Sequence, residues 1–270
     1  MDFRQHIRSI AQGQKILEIG PSYNPIINRE DGYDLKVMDH ASRDELVSKY
    51  KAFGVDTSKI GDVDFVTTDL AEVAETSEKF DVIIASHVIE HTTDIIQFLA
   101  DCEKALKADG KVILIVPDKR FSFDYFRPLS TAGHMIDAHT SGRTRHIGAL
   151  FDHYSFFCRR DQQLAWGEKD SFDPEFLHST EMSRGPVDKV LETGEYLDAH
   201  EWVFTPNSFR FAMNELLLSG FSKFGIEFFH PSQGYEFLAI LSPSAPPDTR
   251  DKREQLFAIE ADMRELTLQL

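Results

Sequence analysis

The stretch FDVIIASHVIEH, residues 80–91, joins a strand pattern to a cluster of reactive side chains, and the two have to be read separately. Its first seven residues, FDVIIAS, have the short apolar run of a β-strand. The rest places His87, Glu90 and His91 in the spacing His-x-x-Glu-His, which elsewhere marks a zinc hydrolase. A metal triad of that spacing needs a continuous helix, where positions i, i+3 and i+4 share a face. Downstream, Ile95, Phe98, Leu99, Cys102 and Leu106 recur at helical spacing, with Thr92 or Thr93 as candidate N-cap, Asp94 in the first turn and Gly110 as the closing turn residue. The helix is therefore expected to start near Thr92. His87 then lies at the exit of the strand, and the triad straddles a loop.

Upstream, KILEIG (residues 15–20), LKVMDH (35–40) and DFVTTDL (64–70) also read as strands. Downstream, GKVILIVP (110–117) has the unbroken apolar run of a strand buried on both faces. Helical stretches alternate with these runs, so parallel strands with helical crossovers are expected. After Pro117 the alternation breaks down until about residue 200, in a stretch dense in Phe, His, Arg and Asp. A loop of that length without structure is unusual, which points to a small subdomain or lid. Regularity returns in TPNSFRFAMNELLLSG (205–220), with Thr205 as cap candidate, a proline in the first turn and Gly220 at the end. FSKFGIEFFH (221–230) and YEFLAILS (235–242) follow as strands around the turn signal PSQG, which suggests an antiparallel hairpin.

In the tail, Leu256, Ile259, Met263, Leu266 and Leu270 keep a 3-4-3-4 spacing. This fits a homodimer seam through a C-terminal helix, and equally a helix docked on its own domain. The expected division is a core over 1–117, an insertion over 118–200, the rest of the core over 201–243, and a linker with helix over 244–270.

The 270 residues carry 45 acids against 29 bases, a formal charge of −16 that repels a phosphate backbone. Nucleic acid is not expected as a partner. Cys102 and Cys158 are too few for a disulfide framework, which fits a reducing compartment. The N-terminal segment lacks the apolar core of a signal peptide, and no run approaches the ~20 apolar residues of a membrane span. The expected location is the cytoplasm.

In an open parallel sheet, ligands bind at the carboxyl ends of the strands. The first strand leaves through Gly20, Pro21, Ser22 and Tyr23, where glycine lets backbone approach a ligand. The second leaves through Asp39, about twenty residues on, where a carboxylate can accept ribose hydroxyls. The third leaves through Asp69 and Leu70, a pair suited to an adenine amino group and ring, and the fourth through Ser86 and His87. Taken singly, a strand-end Asp is more often a turn former or helix cap.

KILEIGPSYNP (15–25), VMDH, FVTTDL, FDVIIASHVIEH and ALKADGKVILIVPD (105–118) together resemble the class I S-adenosylmethionine-dependent methyltransferases. The resemblance implies a Rossmann-like α/β fold: a seven-stranded, mostly parallel sheet with one antiparallel strand at the C-terminal hairpin, and a lid insertion after the fifth strand. It implies S-adenosylmethionine as cofactor, with Glu18, Gly20, Pro21, Ser22, Asp39, His40, Asp69, Leu70, Ser86 and His87 at its site. One departure stands out: the family's first motif usually has Gly-x-Gly, whereas Pro21 and Ser22 follow Gly20 here. A nicotinamide enzyme would need Gly-x-Gly-x-x-Gly at this loop, which the chain lacks.

Methyl transfer to a neutral hydroxyl needs a base, and His87 and His91 are the catalytic candidates. Family members that methylate base nitrogens carry Asn/Asp-Pro-Pro-aromatic after the fourth strand; ASHVIEH stands there instead. No metal is expected, with His87, Glu90 and His91 as the alternative ligand set, similar to that of some quinone-pathway O-methyltransferases. In the insertion, Arg120, Arg143, Arg145, His146 and His200 are candidate substrate-binding residues. VPDKRFSFDYFRPLS (116–130) resembles bacterial methyltransferases of surface-polysaccharide and glycan assembly. The expected acceptor is a sugar or small-molecule hydroxyl; the alternatives are N-methylation of an amino sugar and a catalytically silent binding module.

Overall fold

The computed structural model describes residues 1–167 and 174–267, with side-chain surroundings as far as residue 264. The expected strands form as β1 (Lys15–Ile19), β2 (Asp34–Asp39), β3 (Phe65–Val66), β4 (Phe80–Ser86) and β5 (Leu106–Pro117). In the insertion lie a short pair, β6 (Cys158–Arg159) and β7 (Glu175–Phe176), and the C-terminal hairpin is β8 (Gly225–Gln233) with β9 (Glu236–Ser242). The seven-stranded sheet runs in the order β3-β2-β1-β4-β5-β9-β8. β1 pairs in parallel with both β2 and β4, and β9 runs antiparallel to β5 and β8. The chain therefore moves outward from β1 to β3 and then returns to the other side of β1. This reversal opens a crevice between the carboxyl ends of β1 and β4.

Each face of the sheet is buried by alternation along the strands. On β5, Val112, Leu114 and Val116 pack with Leu17, Ile83 and Phe237 against the helix side that holds α4 (Ile95–Ala105) and α8 (Pro206–Leu218). Ile113 and Ile115 face the other way, joining Ile16, Val82, Ile84 and Ile240 under α1 (Phe3–Ala11). Fully burying each such aliphatic side chain contributes about 1.5–3 kcal/mol, so the sheet does not depend on polar contacts for its stability.

Several boundaries move from their expected places. Asp94, not Thr92 or Thr93, caps α4, its carboxylate accepting from the Gln97 N–H at 2.9 Å. Leu106 leaves the helix and opens β5 opposite Phe80, because the backbone folds tightly at Gly110: a Cβ there would stand 2.8 Å from Leu106 Cδ2. β3 keeps only two residues, since Asp69 already caps α3 (Leu70–Thr76). α2 (Arg43–Ala52) is the crossover helix between β2 and β3.

The described residues between 118 and 200 are structured. They carry α5 (Ala132–Thr140), α6 (Gly148–Phe156), the β6–β7 pair and α7 (Arg184–Thr193), with small apolar clusters of their own. The return segment is stitched to the core. The Glu201 and Trp202 N–H groups both donate to the Glu90 carbonyl, at 2.7 and 3.2 Å, and Trp202 Nε1 donates to the Thr92 carbonyl at 2.7 Å.

The tail helix α9 (Lys252–Thr267) docks on its own chain. Asp262 accepts from Asn207 at the start of α8, and Met263 packs against Phe121, Tyr125, Cys158 and Trp166. Leu256 is 43% exposed, so the stripe is only partly used. The surroundings of Leu266 and the whole of Leu270 lie outside the described residues. No helix among the described residues is long and apolar enough to cross a membrane.

Candidate active site

At the exit of β1, Gly20 takes a left-handed conformation (φ +62°), and a Cβ there would stand 3.1 Å from Val88 Cγ2 on the segment that leaves β4. Glycine is thus what lets the two strand ends close on each other. Ser22 also has positive φ (48°), which a serine rarely adopts without support. Its support is Asp39, whose Oδ2 accepts from the Ser22 N–H at 3.0 Å and lies 3.3 Å from the Ser22 hydroxyl. The other oxygen, Oδ1, accepts from the His40 N–H at 2.8 Å and pairs with His40 Nδ1 at 2.6 Å. Asp39 thus sits at the expected strand end but spends one oxygen on holding this loop and the other on His40.

Glu18 is placed differently from expectation. It is buried, and its carboxylate accepts from the N–H groups of Ile26 and Ile27 at 2.6 and 3.2 Å. Burial pushes its carboxyl up to about 7, against these bonds and the nearby Arg4 and Arg8. Its role is to shape the loop from beneath, because no oxygen faces the crevice unpaired. Leu70 is likewise a correction: it starts α3 and packs into the core at 5% exposure, since the helix turns it inward beside Val73. Asp69 is exposed, with one oxygen accepting from the Ala71 N–H at 2.9 Å.

At the exit of β4, Ser86 ends the strand and His87 has φ +54°. Such strain in a non-glycine residue clusters at functional sites. His87 Nε2 lies 2.7 Å from Glu236 on β9, and its Nδ1 lies 3.5 Å from Glu90. Burial disfavours its charge, but the two carboxylates outweigh this and push the ring up to about 10. Glu90 and His91 lie on a short 3₁₀ turn (Ile89–His91), so the spacing His-x-x-Glu-His does straddle a break between strand and helix. His91 Nδ1 bonds Asp198 at 2.9 Å, and Asp198 and Glu90 hold the ring above its ordinary range despite burial.

The insertion brings one of its expected residues to this point. His200 lies edge-on to His91, ring centroids 4.6 Å apart, with its Nδ1 2.5 Å from Asp124. Asp124 is buried and held well below the carboxylate range by His200 and Arg127, against its desolvation. Arg120 does not join them. Its guanidinium folds back onto Asp118 and is 6% exposed, so as a substrate fork it is spent. Arg143 and His146 both bond Glu201, and Arg145 stays on the surface. Asp124, Asp198, Glu201 and Glu236 are the partners that the sequence did not single out. Only Asp198 and Glu201 left a trace, as neighbours of His200 in LDAHEW.

A sequence model of a methyltransferase domain matches residues 6–169, more than half of the chain. The chain belongs to this methyltransferase family. S-adenosylmethionine is the cofactor of the family, and the chain is an S-adenosylmethionine-dependent methyltransferase. No curated protein matches it. Among solved structures, the methyltransferase is similar to an S-adenosylmethionine-dependent one from Mesorhizobium loti, at 13% identity and TM-score 0.43, over 88% of this chain and 96% of that one. It is also similar to one from Methanosarcina mazei, at 18% identity and TM-score 0.43, over 90% and 98% of the two chains.

The crevice of the methyltransferase fits its cofactor on two counts. The lack of a side chain at Gly20 leaves its backbone open to close approach at the β1 exit, and Asp69 offers a carboxylate oxygen outside its helix cap. The polar wall of His87, His91 and His200 stands beyond the β4 end, where the Glu201 and Trp202 N–H groups bond the Glu90 carbonyl.

Proposed function

We propose that the methyltransferase acts on the hydroxyl group of a small molecule or glycan, with a sugar hydroxyl as first choice. The observation that carries this is the wall of three imidazoles at the β4 exit, each oriented by its own carboxylate: His87 by Glu236, His91 by Asp198 and His200 by Asp124. A hydroxyl must lose a proton as it is methylated, and an ordered imidazole in its neutral form is suited to draw that proton off. The resemblance of residues 116–130 to glycan-assembly enzymes supports the sugar.

When bound, S-adenosylmethionine supplies an electrophilic methyl group on a positively charged sulfur. Gly20, Pro21, Ser22, Asp39, His40, Asp69 and Ser86 line its side of the crevice. Asp39 serves by fixing the Ser22 loop and presenting His40. His87, with a carboxylate near each ring nitrogen, stays protonated at neutral pH and acts as a fixed donor. His91 stands at the centre of the wall, where the acceptor proton leaves. The insertion, 118–200, closes over the acceptor, with Arg143 and Arg145 at its outer rim. The protein works as a cytoplasmic enzyme.

Calorimetric titration with S-adenosylmethionine and S-adenosylhomocysteine tests the donor half. Micromolar binding that Asp39→Ala weakens at least tenfold is expected, followed by turnover with sugar hydroxyls. A chain that binds neither compound is not this enzyme. For the acceptor half, His91→Ala should lower kcat by roughly 10²- to 10⁴-fold with little change in donor affinity. An amine acceptor methylated at undiminished rate by that variant would refute the hydroxyl reading.

A further inference from the structure

Glu90 is the feature that the proposed reaction leaves unexplained. It is 0% exposed, and neither carboxylate oxygen has a hydrogen-bond partner. The closest groups of opposite charge, His87 Nδ1 at 3.5 Å and His91 Nε2 at 4.0 Å, lie within ion-pair range of Oε1 but make no hydrogen bond to it. Removing a carboxylate from water without bonds costs several kcal/mol, so a fold that keeps one there implies a compensating partner.

The surroundings indicate what that partner is. The return segment, pinned by two N–H bonds to the Glu90 carbonyl, lays His200 beside His91. One ligand atom each from Glu90, His91 and His200 lies within 4.8 Å of the others. Both histidines are bonded through Nδ1 to a carboxylate, His91 to Asp198 and His200 to Asp124, which leaves Nε2 as the open nitrogen of each. This arrangement, in which a carboxylate fixes the far side of the ring, is the usual support of an imidazole that ligates a metal.

We propose that Glu90, His91 and His200 form a binding site for one divalent transition-metal ion, zinc by preference. Two imidazoles and one carboxylate are borderline donors that favour zinc over the oxygen-seeking magnesium and calcium. Three protein ligands leave at least one position open, as in catalytic zinc sites. In tetrahedral coordination the three atoms would stand roughly 3.3 Å apart, so the cluster closes by up to about 1.5 Å on binding. His87, a member of the alternative ligand set, is held off by Glu236, and His200 takes its place.

The site itself rests on this geometry alone; its role rests on the hydroxyl reading above. The open position takes the acceptor oxygen, and coordination lowers the pKa of that hydroxyl. The O–H proton is lost to solvent, the oxygen forms its bond to the methyl carbon, and the carbon–sulfur bond breaks to leave a neutral thioether. His91 then acts through the ion, as a ligand that holds it where it acidifies the hydroxyl.

The test uses the full-length protein stripped with a chelator, titrated calorimetrically with zinc and, separately, with cobalt followed by visible absorption. S-adenosylhomocysteine affinity is measured on the same samples. One ion per chain is expected, with cobalt bands of low-coordinate geometry. Glu90→Gln, which keeps size and shape, and His91→Ala should abolish both signals while S-adenosylhomocysteine affinity is retained. Asp198→Asn, a change at the surface, should weaken zinc binding by roughly 10- to 100-fold. No stoichiometric zinc or cobalt binding, or binding indifferent to these variants, overturns the site even where S-adenosylhomocysteine binds. Zinc binding without any S-adenosylhomocysteine binding upholds the site and overturns the enzyme reading instead.

Discussion

Glu18 and Asp39 are both carboxylates at strand ends, and both act on the loop after β1 rather than standing open. Glu18 holds it through Ile26 and Ile27, and Asp39 through Ser22. For Glu18 the folded pKa of about 7 lies above its ordinary value of 4.5. The native state then binds more protons than the unfolded chain between these values. Stability should fall as pH rises through that window, by at most about 1.4 kcal/mol per pH unit, and level off above it. Urea denaturation at a series of pH values should show a shallower decline for Glu18→Gln than for the wild type; equal slopes would count against the assignment. Gly20 carries a second residue-scale prediction. Gly20→Ala places a methyl 3.1 Å from Val88 at φ +62°, a strain of about 1–2 kcal/mol. S-adenosylhomocysteine affinity, read by calorimetry, should drop at least tenfold.

Among the elements, α9 shows how a repeating stripe is put to use. Its Asp262 lies against the start of α8 and accepts from the Asn207 backbone N–H and side-chain amide, both at 2.9 Å. A carboxylate there satisfies an orphan N–H group and complements the helix dipole. Asp262→Ala should lower stability by about 1–2 kcal/mol, visible as a lower thermal midpoint. The 3-4-3-4 spacing announced a helix but not its partner, because the same stripe fits a second copy or the chain's own surface. In the same way, the pattern after residue 92 announced α4 but ran it one residue too far. Leu106 suits either element, and the bend at Gly110 settled which one takes it.

For the whole molecule, the excess of acid over base predicts that no DNA or RNA oligonucleotide is retained at physiological ionic strength in a gel-shift assay. Residues 198–204 cross the β4 exit and are hydrogen-bonded to the segment that leaves β4. Trp202, 2% exposed and bonded to Thr92, is the largest side chain in that seam. Trp202→Ala should cost about 3–5 kcal/mol in denaturant unfolding, and Trp202→Phe less. The seam also sets the composition of the imidazole wall, since it carries His200 to His91 and leaves Arg120 buried against Asp118.

The sequence by itself determined the alternation of strands and helices and the residues that leave each strand, because the apolar period is a local property. KILEIG, FDVIIAS and GKVILIVP need no distant partner to read as strands, and the family likeness rests on them. Tertiary structure decided which polar groups face each other. Asp124, Asp198 and Glu236 come from other parts of the chain than the histidines they orient, and no spacing rule links them. Glu90 reads from sequence as one of a triad with His87 and His91. Only the folded return segment shows it buried without a hydrogen bond, with His200 in the place that the alternative ligand set gave to His87. Pairings of this kind depend on burial and on which chain segments meet, quantities that exist only once the insertion has folded back onto the sheet.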